Sequence, residues 1–184
     1  MYALCFLIYD RIEHLKTWKK WLKNHEDDVH IFIHAKNYTK GLKVQKQFGP
    51  EYHVTVLNPF PTKWGELSLV MAELYLYETA LESKDDIHMS VLVSGTCAPA
   101  VNFEIFRKSA VKTRIQIDRV VNRESLPSSF TLTPLWKAQQ WKILTRKHMR
   151  YLVESLTDAD VYLTLFDSFH FATGKTIKKE DYLA

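Results

Sequence analysis

Residues 2–9, Tyr-Ala-Leu-Cys-Phe-Leu-Ile-Tyr, run through eight positions without a charged side chain. A strand with one wet face alternates apolar and polar residues. A run that is apolar at every position is instead the pattern of a strand covered on both faces, as in parallel sheets. Residues 29–35 (Val-His-Ile-Phe-Ile-His-Ala) and 88–94 repeat the pattern in outline. Between the first two runs, Ile12, Leu15, Trp18 and Leu22 recur at helical spacing among lysines, which predicts an amphipathic helix ending near His25. Strands buried on both faces need helices on both sides. An α/β fold with a mainly parallel central sheet flanked by helices is therefore expected.

The remaining punctuation agrees. Residues 53–57 predict a third strand, reached through a polar connection around Gly41, and Asn58-Pro59-Phe60-Pro61 is a firm stop. Leu67, Val70, Met71, Leu74 and Leu81 predict a long helix over 66–81. Further on, 103–110 predicts a short helix, 113–121 a strand, 124–134 a Ser/Pro-rich loop, 139–145 a strand and 147–156 a helix. Residues 162–166 are apolar and fit either class, and 173–184 form a polar, basic tail.

A chain of 184 residues fits a single domain with a sizeable core. Its net charge of +4 permits an anionic small ligand but lacks the dense basic stripe of a nucleic-acid binder, so nucleic acid is not an expected partner. Cys5 and Cys97 form no CxxC pair, which argues against both a structural metal and a disulfide framework. No GxGxxG, P-loop or GxSxG motif is present. Neither a signal peptide nor an apolar span of about 20 residues is visible, so a soluble cytoplasmic chain without an integral membrane segment is expected.

The stretch 90–99, Ser-Val-Leu-Val-Ser-Gly-Thr-Cys-Ala-Pro, is the first candidate site. It reads as an apolar strand stopping at a loop of small residues, and open α/β sheets bind ligands beyond the carboxyl ends of their strands. A buried strand ending in an ordinary turn fits the same residues.

Five segments in order resemble the core-2/I-branching glycosyltransferases, glycosyltransferase family 14. They are Leu7-Ile8-Tyr9-Asp10-Arg11-Ile12-Glu13, Ile31-Phe32-Ile33-His34-Ala35-Lys36, Lys63-Trp64-Gly65-Glu66-Leu67-Ser68-Leu69-Val70 with Ala72-Glu73, Leu92-Val93-Ser94-Gly95-Thr96 with Pro99, and Gln140-Trp141-Lys142-Ile143-Leu144-Thr145-Arg146 with His148. The resemblance implies a GT-A-like, Rossmann-like fold and inverting transfer of a sugar such as GlcNAc or xylose from a UDP-sugar donor to a glycan or glycoprotein acceptor. It further implies no cofactor and no required metal. The donor would meet Ile8, Tyr9, Asp10, Arg11, His34, Lys36, Trp64, Gly65, Ser94, Gly95 and Thr96, and the acceptor Gln140 and Trp141.

Inverting transfer needs a carboxylate to take the acceptor's proton and positive charge for the departing diphosphate. In the family's register the base falls on Asp181, with Glu180 beside it, close to where the sequence ends; a truncated C-terminal end fits this register. Arg146, Lys178 and Lys179 are candidates for the diphosphate, as is Lys175. Two positions depart from the family pattern: Lys36 and Cys97 stand where it carries aspartates. Without a membrane anchor, a bacterial cell or a virus-infected host cell is the expected setting.

Two alternatives remain open on the sequence. Asp158-Ala159-Asp160 matches the DxD of metal-dependent transferases, where carboxylates hold Mn²⁺ or Mg²⁺ on the diphosphate, and equally fits a turn or helix cap. A non-catalytic sugar- or nucleotide-binding module is the other.

Overall fold

The computed structural model describes residues 1–64, 66–120 and 136–157. In chain order these form β1 (Tyr2–Leu7), α1 (Leu15–Leu22), β2 (Val29–His34), α2 (Tyr38–Phe48), β3 (His53–Val56), α3 (Leu67–Glu82), β4 (Met89–Ser94), α4 (Phe103–Ser109), β5 (Arg114–Val120), β6 (Trp136–Thr145) and α5 (Arg146–Thr157). The strands build one sheet in the order β3-β2-β1-β4-β6-β5. The first four are parallel, and β6 and β5 are antiparallel to their neighbours. The mainly parallel α/β architecture is the one the apolar runs predict.

All six residues of β1 are buried, and they divide between two cores with the period of two that a pleated strand imposes. Tyr2, Leu4 and Phe6 join Trp18, Leu22, Val44 and Phe48 from α1 and α2. Ala3, Cys5 and Leu7 join Ala72, Leu76 and Tyr77 from α3 and Met149 from α5. Each large side chain removed from water in this way contributes roughly 1.5–3 kcal/mol.

This division fixes the path of the chain. It walks outward from β1 to β2 to β3 with α1 and α2 on one side, and α3 then returns it across the other side to β4, next to β1. The strand order therefore reverses between β1 and β4, the kind of crevice in which open α/β sheets place their ligands.

One element departs from the sequence reading. The connection around Gly41 is mostly helix: α2 is capped by the Asn37 side chain, which accepts from the Lys40 amide at 3.0 Å. Its buried side is only Gly41, Val44 and Phe48, and lysines and glutamines hide that stripe. Gly41 has a packing reason, since a Cβ there would lie 2.4 Å from Cγ1 of Val56 on β3. The predicted loop at 124–134, the apolar stretch 162–166 and the tail 173–184 lie outside the described residues.

Candidate functional site

Leu7, His34 and Ser94 are in register with one another, so β1, β2 and β4 end level along one edge. The loops leaving β1 and β4 are tied together there. The Glu13 amide donates to the Gly95 carbonyl at 2.7 Å. A Cβ on Gly95 would lie 2.3 Å from the Arg11 carbonyl oxygen, so the two backbones approach as only glycine permits. The turn at 94–97 is fixed from within and below. The Cys97 amide donates to the Ser94 carbonyl at 3.2 Å, and the Ser94 amide to Cys97 Sγ at 3.3 Å. Ser94 Oγ and Thr96 Oγ1 are 2.9 Å apart. Trp18, buried in α1, donates its indole N–H to the Cys97 carbonyl at 2.9 Å. The structure thus brings Ile8, Tyr9, Asp10 and Arg11 together with Ser94, Gly95 and Thr96.

His34 and Lys36 join the same edge from β2. The Ile8 amide donates to the His34 carbonyl and the Lys36 amide to the Tyr9 carbonyl, both at 2.9 Å. Lys36 Nζ donates to the Tyr9 hydroxyl and lies 4.4 Å from the centre of that ring, a cation–π contact at an exposed pair. His34 is 1% exposed, its ring edge-on to Phe60, and its Nε2 has no hydrogen-bond partner among the described residues. Burial pushes its pKa down to about 4, so the ring is neutral at pH 7. A buried ring nitrogen without a partner is costly unless something meets it, which sets His34 apart from an ordinary core residue. Trp64, in the connection from β3 to α3, is 92% exposed rather than packed.

Other sequence candidates are placed elsewhere. Ile143 packs in the α1–α4 core and Leu144 in the α3–α5 core, and the ladder to β5 is irregular just before them, between Ala138 and Lys142. Trp141, 39% exposed, lines an open cavity of about 470 Å³ with Val91, Val93, Cys97, Ala98 and Arg114, immediately beside the Ser94–Cys97 turn. Gln140 does not share this groove. Arg146 sits at the opposite edge of the sheet, where its guanidinium donates to the Ile87 and Leu81 carbonyls at 2.9 and 3.1 Å. Those bonds hold it about a strand length from the Ser94 edge, too far to reach a diphosphate there. Gly65, Asp158, Asp160, Lys175, Lys178, Lys179, Glu180 and Asp181 lie outside the described residues.

Two features at this end of the molecule were invisible in the sequence. Cys97 organises the turn through its thiol, and a buried ion pair joins Glu73 of α3 to Lys142 of β6 at 2.7 Å. Neither follows a spacing rule. Among the described residues no three side chains of metal-ligating type come together, and no helix is long and apolar enough to cross a membrane.

The fold and its edge define a class first: an open, mainly parallel α/β protein whose loops converge at the β1/β4 switch point. The chain belongs to the Core-2/I-Branching enzyme family, whose profile matches residues 2–184, and that family is one of glycosyltransferases. It is 29% identical over 162 residues to Glycosyltransferase BC10 of Oryza sativa subsp. japonica, a match covering 83% of this chain. The chain spans 40% of that relative's length. Two solved structures resemble it loosely. One is 4-diphosphocytidyl-2C-methyl-D-erythritol synthase from Anaerococcus prevotii, with a TM-score of 0.42 and 13% identity over 97% of this chain and 81% of that one. The other is CMP:2-keto-3-deoxy-manno-octonic acid synthetase with CTP, with a TM-score of 0.41 and 9% identity over 95% and 87%.

Proposed function

We propose that the chain is a GT-A-like inverting glycosyltransferase that binds a UDP-sugar across the β1/β4 edge and transfers the sugar to a glycan or glycoprotein without a divalent metal. The observation that carries this reading is the latch of the Tyr9–Arg11 loop onto Gly95, at the switch point of a chain from this family. In this reading the nucleotide lies along Ile8–Arg11 and His34, whose Nε2, without a partner among the described residues, meets it. Ser94–Thr96 face the donor sugar, with Trp64 beside it; Gly65, the family's other donor position there, lies outside the described residues.

The acceptor's apolar ring face stacks on Trp141, on the groove side of β6. Its hydroxyl attacks the anomeric carbon while Asp181, or Glu180 beside it, takes the proton, and the diphosphate departs on the opposite side. Cleavage of the bond to the anomeric carbon adds a negative charge to a diphosphate that already carries two, and that added charge needs compensation. The end of β4 carries Ser-Gly-Thr and no carboxylate to hold a metal, so backbone amides and cations, Lys36 and Arg11 at this edge and Lys178 and Lys179 in the tail, take that part. A cytoplasmic location accompanies the reading.

A panel of UDP-sugars, assayed for slow donor hydrolysis with and without EDTA, tests it. Turnover of at least one donor, unaffected by EDTA, is expected. Loss with EDTA and recovery with Mn²⁺ would move the chemistry to Asp158 and Asp160. Thermal stabilisation by UDP without turnover would leave a binding module.

A further inference from the structure

We propose that the buried ion pair between Glu73 and Lys142 is a positioning device: it sets how far β6 stands from β4, and so where Trp141 is held in the acceptor groove. The proposal rests on the transferase reading above. Its geometry does not.

The ladder between β4 and β6 pairs only Met89 with Thr145, Ser90 with Leu144 and Val91 with Ile143. Beyond Ile143 the two strands have no further register, and there the cavity opens between Val93, Cys97 and Ala98 on one side and Trp141 on the other. Lys142 is the first residue past the ladder. Its side chain turns to the α3 face, where Nζ meets Glu73 Oε1 at 2.7 Å; the two side chains are 18% and 7% exposed. The contact therefore lies one residue from Trp141, at the point where pairing with β4 stops, while on its other side Lys142 is still paired with Ile115 of β5.

Energetics favour placement over bulk stability. Two ions taken out of water rarely hold a fold better than two apolar side chains of the same size, and their best attested use is to fix register. A salt bridge with one partner has one geometry, whereas a Leu–Met contact can slide. Burial, together with the Glu73 charge, pushes the Tyr77 hydroxyl and the Cys5 thiol up, so both stay protonated. On α3 the pair also ties the acceptor strand to the helix that starts beside the donor edge.

The test compares the wild-type chain with the double variant Glu73→Leu/Lys142→Met, which removes both charges and keeps volume. Donor hydrolysis of UDP-GlcNAc, UDP-xylose and UDP-glucuronate is measured alone, then transfer to p-nitrophenyl glycosides as acceptor probes. Donor hydrolysis should stay within about twofold, while the acceptor KM rises about fivefold or more. Lys142→Arg, which keeps the pair, should restore the wild-type KM. The ¹⁹F signal of 5-fluorotryptophan at position 141, assigned with Trp141→Phe, should change from one sharp line to a broadened or split one. Glu73→Asp keeps both charges but shortens the reach, and should shift the signal and KM the same way if the double variant does not fold. An unchanged ¹⁹F line and an unchanged acceptor KM would overturn the proposal. If the wild-type chain hydrolyses no donor, the transferase reading fails, and the ¹⁹F comparison still decides whether the pair places Trp141.

Discussion

The two halves of this sheet are held by different means. Strands β3, β2, β1 and β4 are parallel, joined through helices on both faces and buried down the middle, with Phe6, Phe32 and Ile31 at zero exposure. Strands β6 and β5 are antiparallel. They are held by a three-pair ladder to β4, an irregular ladder to each other with shifts around Ile117, the burial of Leu144 against α3 and α5 and, among the described residues, one ion pair to α3. The β1/β4 edge is consequently a product of strand order and hydrophobic burial. The groove beside it opens where the β4–β6 ladder ends, next to the Glu73–Lys142 pair.

The largest effect is expected where that polar contact is half removed. Lys142→Met alone strands a buried carboxylate and should cost about 3–5 kcal/mol in urea unfolding, most of it recovered when Glu73→Leu is added. A cost under about 1 kcal/mol for the single variant would place β6 under the same hydrophobic control as β1. Next comes the latch in the parallel half. Gly95→Ala forces a Cβ against the Arg11 carbonyl, which cannot swing away as a side chain can. A loss of about 1–3 kcal/mol is expected, and weaker UDP binding by calorimetry with it.

His34 supplies a pH test of the same half. Its pKa is about 4 in the folded chain against an ordinary 6.5, so the unfolded chain takes up the extra proton between those values. Stability from this group is intact above pH 6.5 and is lost as the pH falls toward 4. From pH 7 to pH 5 the loss should be about 2 kcal/mol, absent in His34→Gln. Burial also lowers the pKa of His30 and His88, and their share persists in both proteins. Equal pH slopes for the wild type and His34→Gln would mean that the His34 ring is not held neutral. The smallest effect belongs to Trp64→Ala: a ring that exposed should leave stability within about 0.5 kcal/mol, whatever it does to donor binding.

The same contrast explains what could be read from residues alone. Buried parallel strands announce themselves, because both faces must be apolar; 2–9, 29–35 and 88–94 each predicted a strand that is present. Helix α2 did not, because its core side amounts to a glycine, Val44 and Phe48 among lysines and glutamines. Gln140 and Trp141 looked like one motif, yet only Trp141 of the two lines the groove. Arg146 looked like a free cation near the chemistry, and two carbonyls far along the chain hold it at the other edge. Long-range polar contacts such as these carry no periodicity. Asp181 and Glu180 lie outside the described residues.

The central claim is that the nucleotide sits where the β1 and β4 loops meet. Backbone amide shifts during titration with UDP, in EDTA, address it most directly. The account predicts saturable shifts at 8–11, 34–36 and 94–97, with Arg146 and the start of α5 unmoved. No shifts at all, or shifts confined to the Arg146 edge, would contradict it.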